Sequence, residues 1–168
     1  LGSTVDARAG AVGDWVARQG EAARGLAENQ TLQLYLTELS MVGGDRTQVT
    51  DEASQSTYVR SLLSVAAERL GYVAPRTGAT VNASLQRSAV AGIGFTVLDP
   101  SLRPLLSTAE PPALEGRVLA LAEAALKGPV ADLIPGAGGR AIFVAAAPVV
   151  PIQGETGAPP VGVLFGLA

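Results

Sequence analysis

The sequence predicts an α+β fold in which a long N-terminal helix and a second helix pack on a five-stranded antiparallel sheet. Helical periodicity, with apolar residues three, four and seven positions apart, extends over Val5–Leu39 and Glu52–Leu70. From about residue 92 the pattern changes to short apolar runs separated by Pro- and Gly-rich turns. Because these connections are short, neighbouring runs are expected to pair antiparallel. We therefore predict one domain over 1–168, mainly helical over 1–91, with the sheet and one more helix over 92–168.

The first predicted helix, Val5–Leu39, is interrupted by several glycines, each of which costs about 1 kcal/mol relative to alanine in a helix interior. Burial of one face must therefore stabilise it, either against the rest of the domain or against a second copy of the chain. Gly43–Asp45 ends the helical pattern. The second helix, Glu52–Leu70, carries a continuous apolar stripe, and Gly71 is a suitable residue to end it.

The remaining elements follow from local patterns. Asp99–Leu102 fits a type I turn, with Asp at its first position and Pro at its second. Pro111 and Pro112 precede a third predicted helix, which Gly128 ends. The predicted elements are, in order, a short helix or turn at Val81–Ala91, strands at Gly94–Leu98 and Arg103–Ser107, a helix at Ala113–Lys127, and strands at Val130–Ile134, Arg140–Val150 and Val161–Ala168.

The composition excludes several classes of function. The chain has no histidine and no cysteine, which removes the commonest general base, the usual zinc ligands and the Ser-His-Asp and Cys-His nucleophile systems. We therefore predict no catalytic residues, no metal and no cofactor, and a histidine-free hydrolase or lyase ranks last among the hypotheses. The net charge is −3 and the basic residues are scattered, so nucleic acid is not an expected partner.

The last strongly apolar run ends with the chain itself, and no stretch of about 18 apolar residues or signal peptide precedes it. We interpret the chain as a piece of a larger receptor, next to a membrane span that lies outside it.

Three segments resemble the Cache family of extracytoplasmic sensor domains, the single-unit type with a PAS-like sheet. They are GFTVLDPSLRPLLST (Gly94–Thr108), RAIFVAAAPV (Arg140–Val149) and PPVGVLFG (Pro159–Gly166), and they follow a long N-terminal helix as in that family. The resemblance implies a periplasmic domain between two transmembrane helices of a histidine kinase, chemoreceptor or cyclic-dinucleotide enzyme. It also implies an unidentified small-molecule ligand, for which an organic acid is one candidate, in a pocket on the sheet.

The chain departs from the family's amino-acid-binding pattern, because a Tyr/Arg/Trp/Tyr/Asp set cannot be placed in it. The single tryptophan, Trp15, is on the first helix. The resemblance therefore does not imply an amino-acid ligand. The alternative function is a periplasmic structural module that forms a homodimer through the first helix and binds no ligand.

Two charged residues near the PGAGG turn are candidate ligand contacts. Arg140 opens the fourth predicted strand, where a guanidinium could bind a ligand carboxylate through two hydrogen bonds. Asp132, between apolar residues on the preceding strand, is a candidate acceptor for a ligand amine. The alternatives are a solvated turn charge for Arg140 and a water-facing position on an edge strand for Asp132.

The other candidate ligand contacts are Tyr72, Arg69 and Phe143. Tyr72 follows the second helix, where its ring can be buried while its hydroxyl remains available to a ligand. Arg69 and Tyr58 share a helix face but are separated by roughly 16 Å along it, so they cannot hold one small molecule together. Core packing is the alternative role of Tyr72 and Phe143.

Overall fold

Three α-helices form the N-terminal part of the chain in the computed structural model, which describes residues 2–72, 93–136, 139–152, 154 and 157–168. They are α1 (Gly2–Ala27), α2 (Gln30–Met41) and α3 (Glu52–Leu70), with a 3₁₀ turn at Arg46–Gln48 before α3. The predicted helix or turn at Val81–Ala91 lies outside the described residues.

The predicted single helix over Val5–Leu39 is wrong, because the chain breaks between α1 and α2. Asn29 has an extended backbone (φ −61°, ψ 128°) and caps α2. Its Oδ1 accepts hydrogen bonds from the backbone N–H of Thr31 (3.0 Å) and Leu32 (3.2 Å). These bonds satisfy two of the donors that a helix leaves open at its start, and so favour a new helix over continuation of α1.

The second predicted helix is confirmed over Glu52–Leu70, and Gly71 ends it in the left-handed region at φ 84°. The third predicted helix is shorter than expected: α4 is Gly116–Ala125 rather than Ala113–Lys127. Gly116 has a φ of 51°, which right-handed helical backbone does not allow, so no helix can continue through this residue from Ala113.

Five antiparallel strands form the sheet, in the order β2-β1-β5-β4-β3. The strands are β1 (Gly94–Leu98), β2 (Pro104–Ser107), β3 (Val130–Pro135), β4 (Ala141–Val149) and β5 (Gly162–Leu167). β1 and β5 are buried along their whole length, as expected of strands covered on both faces. Sequence neighbours pair as predicted, and β5 also pairs with β1, which places the last strand at the centre.

The two faces of the sheet pack against different helices. On β4, Phe143, Ala145 and Ala147 face the core formed with α1, α2 and α3, whereas Val144 and Ala146 face the smaller core beneath α4. This alternation is the two-residue period of a strand covered on both sides. The prediction of an α+β fold, with N-terminal helices packed on a five-stranded antiparallel sheet, is confirmed.

Candidate functional site

A groove with a volume of about 210 Å³ lies between the end of α2, the β1–β2 turn and the residue before β5. Its floor is apolar, formed by Leu36, Leu39, Leu105 and Val161. Its rim is polar, formed by Ser40, Asp99, Ser101 and Arg103. An apolar floor with a few polar groups at the edge is typical of sites for small organic molecules.

The helical wall of the groove ends where two glycines stop α2. Gly43 and Gly44 have φ angles of 67° and 87°, a region that side chains with a Cβ rarely occupy. The Gly44 N–H bonds to the Leu39 carbonyl (2.8 Å) and the Gly43 N–H to the Ser40 carbonyl (3.2 Å). These bonds turn the chain away from the helix axis and satisfy carbonyls that would otherwise face the groove.

The opposite rim is the tight turn between β1 and β2, organised by Asp99. Its Oδ1 accepts from the backbone N–H of Ser101 and of Arg103, both at 2.9 Å. Its Oδ2 accepts from Arg103 Nε at 3.0 Å. A further bond, from the Leu102 N–H to the Asp99 carbonyl (2.8 Å), closes the turn that the sequence predicts here. Asp99 is only 16% exposed at its side chain, whereas Arg103 is 77% exposed.

A polar cluster of Tyr35, Arg46 and Glu52 fixes the groove wall from behind. Arg46 donates from Nη2 and Nε to Glu52 Oε1 (2.7 and 2.9 Å) and from Nη1 to the Leu105 carbonyl (3.1 Å). The Tyr35 hydroxyl donates to the same Glu52 oxygen at 2.9 Å. The cluster therefore joins α2, α3 and β2 at the groove.

Charge and burial shift the pKa values within this cluster. The hydrogen bond from the Arg46 guanidinium lowers the pKa of Glu52, so this carboxyl is ionised at neutral pH. Burial, with the added hydrogen bond to Glu52, raises the pKa of Tyr35 to about 12. The tyrosine therefore acts as a neutral donor, and the cluster is a fixed support rather than an acid–base pair.

Two of the sequence-predicted site residues, Tyr72 and Phe143, come together in the core. Tyr72 is 1% exposed, and its ring stacks on Phe95 with centroids 4.4 Å apart and lies edge-on to Phe143 at 6.1 Å. Burial raises the pKa of the Tyr72 hydroxyl, which has no hydrogen-bond partner among the described residues. Neither aromatic residue lines the groove.

The other three sequence-predicted residues lie elsewhere. Asp132 is on the edge strand β3, on the sheet face that α4 covers, where it forms an ion pair with Arg117 and accepts from the Leu133 N–H at 2.8 Å. Hydrogen bonding to Arg117 lowers the pKa of Asp132. Arg140 is exposed beside a shallow pocket of about 300 Å³ at the β3–β4 turn, and Arg69 is exposed in the last turn of α3. A role of these residues in ligand binding stays a prediction.

Sequence reasoning did not select the polar residues of the groove rim. It identified the Asp99 turn but gave no role to Arg103, although the four-residue spacing between an acidic turn residue and an arginine was visible. Ser40 carried no local signal.

Within the part of the chain that the structure describes, no three acidic residues cluster closely enough to hold a metal ion, and no helix is both long and apolar enough to cross a membrane. Comparison with known proteins finds no matching protein family, no matching curated protein and no matching solved structure.

Proposed function

We propose that this chain is an extracytoplasmic, Cache-like domain that senses a small molecule for a membrane signal-transduction receptor. The observation that carries the proposal is the position of the groove. Leu36, Leu39 and Ser40 of α2 form one wall, and the β1–β2 hairpin with Val161 forms the other. A molecule bound in this groove contacts both the helical layer and the sheet, so its affinity depends on their relative position.

The mechanism in this proposal is a population shift. A ligand that fits one arrangement of α2 against the sheet better than another favours that arrangement, by no more than its difference in affinity for the two. α2 connects to α1 through the single cap residue Asn29, and α1 packs on β4, the strand beside β5. Movement of α2 would therefore be transmitted to α1.

The periplasmic location and the receptor context rest on the Cache resemblance of the three segments quoted above. A sheet of five antiparallel strands braced by a long N-terminal helix is the architecture that this resemblance implies. In this proposal the flanking transmembrane helices belong to the parent receptor, whose output is a histidine kinase, chemoreceptor or cyclic-dinucleotide enzyme.

A thermal-shift screen tests whether the groove binds small molecules. A ligand at about 100 times its Kd should stabilise the fold by about 2.7 kcal/mol. Ser40→Phe places a ring at the groove rim and should abolish the shift. Ser61→Phe, the same change at an exposed position on α3, should retain it. If organic acids, amines, amino acids and purines all leave the melting temperature unchanged, the sensing function is wrong.

The second candidate function, a dimerisation module, is favoured by the exposed start of α1. Residues 10–15 are all exposed, including Val12 (48%) and Trp15 (39%). Sedimentation equilibrium of wild type and Val12→Glu tests this function, with Val65→Glu on α3 as the matched control because Val65 is also exposed. A dimer that Val12→Glu alone dissociates, together with no ligand in the screen, would favour this module over a sensor.

A further inference from the structure

We infer that the groove between α2 and the β1–β2 hairpin binds a small monocarboxylate with a short apolar chain, whose carboxylate pairs with Arg103. This inference rests on the proposed sensing function and specifies the chemical class of its ligand. It follows from the hydrogen-bonding capacity left at the rim, the charge there and the size of the groove.

The acceptors at the rim are already engaged. Both carboxylate oxygens of Asp99 accept hydrogen bonds within the turn. On the opposite wall, the carbonyls of Leu39 and Ser40 accept from the two glycines that end α2. A ligand amine entering the groove would therefore have to compete for acceptors that are already in use.

The donors at the rim, in contrast, are free. Arg103 uses Nε for Asp99, while its Nη1 and Nη2 groups donate to no described residue. The hydroxyls of Ser40 and Ser101 likewise make no hydrogen bond within the described part of the chain, and both residues line the groove. Free donors beside engaged acceptors select an anion, and the planar guanidinium suits a carboxylate through two parallel hydrogen bonds.

The ion pair between Arg103 and Asp99 does not prevent this. An exposed pair of this kind is weak, and the Arg103 side chain is 77% exposed. Asp99 also remains anchored by two backbone N–H groups if the guanidinium turns away. Arg103 can therefore share or exchange its partner without loss of the turn.

The volume and the floor determine the rest of the ligand. A space of about 210 Å³ accommodates about seven water-sized groups, which corresponds to a carboxylate with a short alkyl chain. The floor of Leu36, Leu39, Leu105 and Val161 offers no polar group of a side chain to such a chain, so its burial is favourable.

Sodium hexanoate, hexylamine and 1-hexanol share one chain length and differ only in the head group, so they are suitable probes. We expect hexanoate to bind most tightly in an NMR titration at pH 7. Arg103→Gln should weaken its binding about tenfold or more, because a hydrogen bond to a charged group is lost. Arg60→Gln, at an exposed α3 arginine, should leave it unchanged.

Asp99→Asn gives a prediction of opposite sign. The amide retains Oδ1 for the two backbone N–H groups but no longer competes for Arg103, so hexanoate should bind about two- to fivefold more tightly. Weaker or unchanged binding, with an unaltered melting temperature, would overturn the exchange of partners. Hexanoate binding that survives Arg103→Gln would overturn the assignment of Arg103.

The probes also separate this inference from the sensing function. If hexylamine or hexanol binds in preference to hexanoate, and Ser40→Phe abolishes that binding, the ligand class is wrong while the groove remains a sensing site. If none of the three binds, the inference fails. The sensing function fails only if the wider screen also finds no ligand.

Discussion

Gly166 is the position where the packing of this fold predicts the clearest effect of a single methyl group. It lies in the central strand β5, opposite Phe95 on β1 and Ala145 on β4. A Cβ at this position would lie 2.7 Å from Tyr72 Cε1 and 2.8 Å from Phe95 Cε1. Both rings are buried and stacked on each other, so neither can move without disturbing the other.

The size of the effect of Gly166→Ala follows from two opposing terms. Overpacking a core costs about 1–3 kcal/mol, and reduced freedom of the unfolded chain returns about 0.4–1 kcal/mol. We expect a net loss of about 1.5 kcal/mol. With an m value of about 1–3 kcal/mol/M, the urea midpoint should fall by about 0.5–1.5 M.

Gly25→Ala is the matched control, because a Cβ on this α1 glycine meets nothing within 4 Å. It should stabilise the protein by about 0.5–1 kcal/mol through helix propensity. The double variant Gly166→Ala/Phe95→Leu should show favourable coupling of about 0.5 kcal/mol or more, because the smaller side chain leaves room for the methyl group. A Gly166→Ala midpoint at or above that of wild type would refute the packing argument.

Three further predictions concern the helices and use urea unfolding as the assay. Asn29→Ala should cost about 1 kcal/mol by removing the α2 cap, and Asn29→Asp should not; equal losses would refute the capping role. Leu63→Ala should cost about 2–5 kcal/mol because Leu63 is fully buried between α3 and the sheet, and a loss under 1 kcal/mol would contradict that packing. Glu52→Gln should destabilise most at pH 7. The pKa of Glu52 is lowered on folding, so its contribution is present above its ordinary value of 4.5 and disappears as the pH falls through the lower folded value. A difference between wild type and this variant that stays constant from pH 7 to pH 3 would contradict the pairing with Arg46.

Elements with a strong local signal were predictable from sequence. α3 has an apolar stripe and a terminal glycine, and the structure gives it the predicted bounds of Glu52–Leu70. β1 and its Asp99 turn follow from an apolar run and a turn residue that bonds its own backbone. Asn29, by contrast, is a typical helix cap whose signal was hidden because apolar spacing continues on both sides of it.

The candidate site was less predictable, because its parts come from distant segments. Ser40 and Arg103 meet at one groove only because α2 packs beside the β1–β2 hairpin. Tyr72 was correctly expected to bury its ring, but its neighbours depend on the pairing of β5 with β1. That pairing joins strands separated by an intervening helix and two other strands, and no local pattern specifies it.

By itself, the sequence determined the fold class and most of the elements, because helical and strand periodicities and turn residues act over a few positions. The absence of histidine and cysteine also narrowed the chemistry before any coordinates were considered. Only the tertiary structure decided that β5 is central, that α1 and α2 are separate helices and that the groove has free donors beside engaged acceptors. These features depend on which distant side chains and backbone groups become neighbours, and folding alone brings such groups within bonding distance.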